Sequence, residues 1–234
     1  MEVNGSKLEN SSPSRAAPSC RPAPGSIVDL RKIFAERFPP PRTSTTDRIQ
    51  TGLAALDAAT EGGLPKGAMT ELTSPNVSAG TALLIYQLLQ TAEQGRYFMA
   101  LIDGRDSFDP SGECAPRLRN LFWIRCRQAV EAVKAADLLL RDGNFPLVVL
   151  DLVLNAADEL RKIPSSSWYR LQRLVEPAPI AFLILTRRSM SSSAHLKLVL
   201  QNTWTLPDLQ KADRFSQFQF RVPRGHGVRQ ERAS

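Results

Sequence analysis

The chain has 234 residues, 42% of them hydrophobic, with a formal net charge of +7, enough for one domain with a buried core and polar flanks. No run approaches the roughly eighteen consecutive apolar residues of a membrane helix, and no signal-peptide core opens the chain, so a cytoplasmic protein without membrane contact is expected. Three cysteines and two histidines, none at ligand spacing, argue against a disulfide framework or a metal centre. The basic charge suits DNA or an acidic protein partner.

Residues 1–25 carry Ser, Pro, Asn and Arg with almost no large apolar side chains, and are expected to be disordered. In residues 26–47, Ile27, Leu30, Ile33, Phe34 and Phe38 recur at helical spacing behind a Ser26 cap, and Pro39–Pro41 end the pattern. This predicts an amphipathic helix and a proline-rich linker, with Leu30, Ile33 and Phe34 as a docking face, on the same chain or on another molecule. The core is expected over 48–222. Thr51–Asp57 reads as a short helix and Glu61–Gly67 as a glycine-rich turn. Ala68–Thr73 reads as the first central strand, and Thr81–Gln94 as a helix closed by Gly95.

Further along, Tyr97–Ile102 and Leu121–Arg125 are strand candidates, and Ala129–Arg141 is a helix ended by Asp142-Gly143. Pro146–Asp151 and Ile180–Thr186 are continuous apolar strands on either side of a helix at Ser165–Glu176. Unbroken apolar strands alternating with helices predict an α/β fold with a parallel, mixed-edge sheet flanked by helices. Arg187–His195 reads as a basic, flexible loop in which Arg187 and Arg188 are candidate DNA-backbone contacts. Residues 223–234 read as a basic disordered tail, with Arg224, Arg229 and Arg232 as candidate partner contacts.

In such a sheet the ligand crevice lies beyond the C-terminal strand ends. The segment placed there after the first central strand is Ser74, Pro75, Asn76, Val77, Ser78, Ala79, Gly80 and Thr81. A phosphate-binding loop needs glycine, four residues and then Gly-Lys-Ser/Thr, so that backbone N–H groups and a lysine surround the phosphates. Here Ser74 and Ala79 replace the glycines, Gly80 replaces the lysine, and only Thr81 fits.

Thr51–Asp57, Gly62-Gly-Leu-Pro-Lys-Gly67, Leu101-Ile-Asp-Gly-Arg-Asp-Ser-Phe-Asp-Pro110 and Val148–Asp151, taken in this order, resemble the RecA family of strand-exchange ATPases. The resemblance runs from about Arg48 to Thr205. It implies a P-loop NTPase-type core without a functional P-loop. The family's phosphate lysine falls on Gly80, its magnesium hydroxyl on Thr81, its water-polarising carboxylate on Arg105, its strand-end aspartate on Asp151, and its phosphate sensor on Thr186 or Arg187. Plainer readings stand beside these: Asp151 as a turn cap, Thr81 as the first helical residue, and Arg105 as a solvated side chain or a replacement salt bridge. Losing one transition-state contact costs on the order of 3 kcal/mol, so no catalysis and no cofactor are expected. Weak ATP binding at Thr81, Asp151 and the helix N-terminus is left open.

Phe122–Arg127, Ala135–Leu140 and Phe145–Leu152 resemble the ImuA-type branch of short RecA-like proteins. That resemblance implies a non-catalytic accessory role in SOS-induced DNA repair and translesion mutagenesis. The implied partners are RecA, a Y-family polymerase-like protein (ImuB type) and a replicative-type translesion polymerase, with DNA a further candidate. A weak RecA-type DNA-dependent ATPase and a SulA-type cell-division inhibitor are the alternatives.

Overall fold

The computed structural model describes residues 47–76, 78–110 and 117–223. The expectations for residues 1–25, for the helix and linker of 26–47 (Asp47 aside), and for Arg224, Arg229 and Arg232 of the tail lie outside the described residues.

Seven strands form one sheet in the order β5-β4-β6-β7-β3-β8-β9. They are β3 (Ala68–Thr73), β4 (Met99–Asp103), β5 (Leu121–Arg125), β6 (Leu147–Asp151), β7 (Ala181–Thr186), β8 (Leu196–Leu200) and β9 (Phe220–Arg221). All neighbours run parallel except β8 and β9, which pair antiparallel through Val199–Arg221 and Leu200–Phe220. The α/β expectation with a mixed edge therefore holds. A separate two-stranded ribbon joins β1 (Arg48–Ile49) to β2 (Leu64–Pro65).

Successive residues of a strand point to opposite faces, and two apolar layers result. Leu72, Leu101, Val149 and Leu183 pack on one face, against Leu84, Ile85, Leu88 and Leu89 of α2 (Thr81–Gln94) and against Trp204 and Phe218. Met69, Ile102, Val148, Leu150 and Phe182 pack on the other face. There they meet Ala132 and Ala136 of α3 (Ala129–Asp142), Leu160 of α4 (Ala157–Arg161), and Trp168 and Leu171 of α5 (Ser165–Val175). Burial on both faces is why β6 and β7 lack polar alternation. Gly143, at φ 77, ends α3 in the left-handed conformation.

Three local expectations differ from the structure. The helix expected at Thr51–Asp57 is α1, Ala54–Ala59. Its start is displaced because Gly52 is left-handed at φ 74, and because Asp57 accepts hydrogen bonds from the Thr51 N–H (2.9 Å) and hydroxyl (2.8 Å) instead of facing solvent. The glycine-rich turn contains β2, since Leu64 and Pro65 extend to pair with Ile49 and Arg48. The loop after β7, expected to be flexible, is anchored by the fully buried Glu71 of β3. Glu71 accepts from the Ser189 hydroxyl (2.8 Å), from the Met190 N–H and from the Ser191 N–H (3.1 Å), with Lys197 at 3.8 Å. No helix among the described residues is long and apolar enough to cross a membrane.

Candidate functional site

The strand ends carry the candidate residues to one rim of the sheet. Asp103 ends β4 and Asp151 ends β6, and the two are register partners. Ser74 follows β3 and is tied to the end of β7 by its N–H donating to the Thr186 carbonyl at 2.7 Å. Parallel pairing of β4, β6, β7 and β3 places these ends side by side.

The segment from Ser74 to Thr81 is held from within and from outside; Val77 lies outside the described residues. The Ser74 hydroxyl donates to the Asn76 carbonyl at 3.2 Å, and the Ala79 N–H does the same at 3.3 Å. From the neighbouring strand, the stretch after β8 closes over the loop. Thr203 Oγ1 accepts from the Asn76 amide at 3.0 Å, the Trp204 N–H donates to the Ser78 carbonyl at 2.8 Å, and the Trp204 indole N–H donates to the Ala79 carbonyl at 2.9 Å. Trp204 is itself buried and stacks edge-on against Phe218 at 5.4 Å.

Gly80 caps α2 at φ 95, ψ 28, in the left-handed region. A β-carbon added there would sit 2.5 Å from Trp204 Nε1 and 2.9 Å from its Cδ1. Two independent constraints, backbone handedness and a rigid hydrogen-bonded ring, thus favour glycine over lysine at this position. The sequence alone had assigned no role to Trp204. Its contact with Ala79 spans 125 positions in the chain, and no periodicity reports such a pairing.

Thr81 and Asp151 face the same cleft. With Ser107, Phe108, Val153 and Leu154 they line a small cleft of about 180 Å³. This cleft is smaller than the roughly 300 to 1,000 Å³ of pockets for drug-sized molecules. Asp151 accepts the Val153 N–H at 3.0 Å, which makes it a turn cap. Burial pushes its carboxyl up to about 6 and the nearby Asp103 carboxylate adds to the rise, while the Val153 bond opposes it.

Asp103, fully buried, organises the loop that follows β4. Its two oxygens accept from the N–H groups of Arg105 (3.2 Å), Ser107 (2.8 Å) and Phe108 (2.8 Å) and from the Ser107 hydroxyl (3.3 Å). The loop turns Arg105 outward, where its guanidinium donates to the Arg127 carbonyl at 3.1 Å. Of the readings offered for Arg105, the exposed loop residue matches this placement; the salt bridge within the crevice does not.

Arg187 and Arg188 are exposed and line a larger cavity of about 770 Å³ with Arg161, Leu154, Leu160 and Met190. It adjoins the loop through Pro75. Cys126 is a buried free thiol whose pKa is raised, first by burial and then by Glu131 and Asp103. Among the described residues no group of three or more His, Cys, Asp and Glu is placed to hold a metal ion.

No family model matches the chain. It is 32% identical over 110 residues to RecA of Xylella fastidiosa strain M12, covering 46% of this chain and 31% of that protein. It is 31% identical over 112 residues to RecA of Chlorobium chlorochromatii, covering 47% and 31%. It is 30% identical over 109 residues to the chloroplastic DNA repair protein recA homolog 1 of Arabidopsis thaliana, covering 46% and 25%. The chain spans about a third or less of the length of these curated relatives. Sequence similarity over under half of the chain, together with the mostly parallel seven-stranded sheet, supports the RecA superfamily as the family to which this core is related.

Proposed function

We propose that the chain is a non-catalytic, RecA-like accessory protein of DNA repair, of the ImuA type, that acts in translesion mutagenesis through protein contacts. The similarity to RecA proteins supports the repair role. The observation that carries the non-catalytic half is Trp204 standing where a side chain on residue 80 would have to begin, 2.5 Å from the added β-carbon. A phosphate loop stabilises charge only with its donors aimed at the phosphates. In this chain two of the loop's donors, the N–H groups of Ser74 and Ala79, are instead given to the Thr186 and Asn76 carbonyls at 2.7 and 3.3 Å. The partners in this reading are RecA, an ImuB-type polymerase-like protein and a replicative-type translesion polymerase.

Calorimetry with magnesium ATP and a phosphate-release assay, each with and without single-stranded DNA, test the proposal. The expected result is no turnover above background in either condition. DNA-stimulated phosphate release would overturn it. The partner half is tested by RecA pull-down with the full chain and with residues 26–38 deleted. Retention lost on deletion supports contact through Leu30, Ile33 and Phe34, and unchanged retention removes that segment from the interface.

A further inference from the structure

Beside the closed loop lies the cavity of about 770 Å³ between the turn after β6 and the loop after β7. Its floor and one wall are aliphatic: Val153, Leu160 and Met190 are buried or half-buried, and Leu154 is 50% exposed. Its rim is cationic. Arg161 is paired with Asp158, whereas Arg187 and Arg188 make no ion pair or hydrogen bond among the described residues and stand in solvent. The loop that carries them is not loose, because the buried Glu71 carboxylate holds the next three residues, Ser189, Met190 and Ser191. A pair of free guanidinium groups is therefore presented on a fixed backbone over an aliphatic trough.

From this arrangement we propose that the cavity is a docking site for an acidic-aliphatic peptide segment of a protein partner, with a leucine-like side chain in the trough and an adjacent carboxylate on Arg187 and Arg188. Guanidinium groups bind carboxylates through paired, charge-assisted hydrogen bonds, and a preorganised loop lowers the ordering cost of binding. Among the described residues the lining contains no aromatic ring, whereas sites for single-stranded nucleic acid stack bases on aromatic side chains. Aliphatic walls instead favour a branched apolar side chain. The net charge of +7 adds long-range attraction toward an acidic segment. The inference rests on the reading of the chain as a protein-contact factor and gives that reading a surface.

The test is fluorescence polarisation with the full chain and a short acetylated, labelled peptide of leucines flanked by glutamates. Comparison probes carry lysine for glutamate or alanine for leucine, and a labelled oligothymidylate stands for nucleic acid. Saturable binding of the acidic leucine peptide is expected, with both altered peptides at least about tenfold weaker. The double variant Arg187→Glu/Arg188→Glu and, separately, Leu154→Asp are each expected to weaken it by about tenfold or more. Both sites are exposed, and circular dichroism checks that the variants fold. Absence of saturable binding, equal binding of the lysine peptide, or indifference to both variants would overturn the proposal. So would tighter binding of the oligothymidylate with displacement of the peptide, which would assign the cavity to nucleic acid. ATP turnover in the assays above would defeat the non-catalytic reading and leave this result standing.

Discussion

At residue 80 two constraints act together, and they can be separated. A non-glycine residue in left-handed backbone costs about 1–3 kcal/mol, and the contact of an added β-carbon with Trp204 adds to that. Gly80→Ala is expected to lower the unfolding free energy by about 2 kcal/mol or more, read by urea denaturation. Trp204→Ala, which empties a buried aromatic site, is expected to cost about 3–5 kcal/mol. In the Trp204→Ala background, Gly80→Ala should cost less than it does alone, because only the backbone term is left. Equal costs in both backgrounds would show that the ring does not constrain the position. Asp151 gives a pH signature of opposite sign to most carboxylates. Its folded-state carboxyl is raised to about 6 from an ordinary value of 3.8, so the folded protein binds the proton more tightly than the unfolded chain. Stability therefore falls as pH rises between about 4 and 6, and the penalty is fully present above that window. Because Asp151 is half-buried, Asp151→Asn is expected to gain about 1–2 kcal/mol at neutral pH and nothing below about pH 4. A gain independent of pH would exclude the ionisation as its source.

Elements that declare themselves by continuous apolar runs were legible in the sequence. Leu147–Asp151 and Ala181–Thr186 fall within a residue or so of the expected bounds because burial on two faces leaves an unbroken signal, and Thr81–Gln94 does so through its broad apolar helical face. β1, β2 and β9 were not legible, since each has two residues and no period exists over so short a span. β8 gives no continuous apolar signal, because Lys197 sits inside it and a serine-rich stretch precedes it; its half-buried alternation marks a strand near the sheet edge. The site was legible in part. Thr81 and Asp151 follow from the order of the elements and do share a cleft. The seal by Trp204 and the anchor at Glu71 depend on contacts more than a hundred positions apart, which local pattern does not encode. That anchor makes an element-scale prediction. Glu71→Gln keeps one carbonyl oxygen but replaces the second acceptor with a donor, while Ser189, Met190 and Ser191 all donate to this position. Amide exchange across residues 189–191 is expected to accelerate about tenfold or more, with β7 unaffected, as read by hydrogen–deuterium exchange. Unchanged exchange would mean that the loop is held by something else.

Across the whole molecule, the described core spreads its apolar contacts over both faces of one sheet. Beyond Pro223 the sequence carries three further cations, Arg224, Arg229 and Arg232. The sheet and the crevice are therefore separable: strand order depends on the two apolar layers, and the crevice depends on a few side chains at the rim. If the segment beyond Val222 contributes backbone contacts to a polyanion, truncation there should flatten the salt dependence of binding to single-stranded DNA. An unchanged slope would leave the charge on the core itself. The ring over Ala79 has a further, optical consequence. The chain holds three tryptophans, and Trp204 is 8% exposed with its indole N–H bonded to the very loop that a phosphate ligand would have to open. With Trp123 and Trp168 replaced by phenylalanine, the emission maximum of Trp204 becomes an intrinsic gauge of that loop: any ligand that opens it must wet the indole and shift its emission to the red, with no label attached.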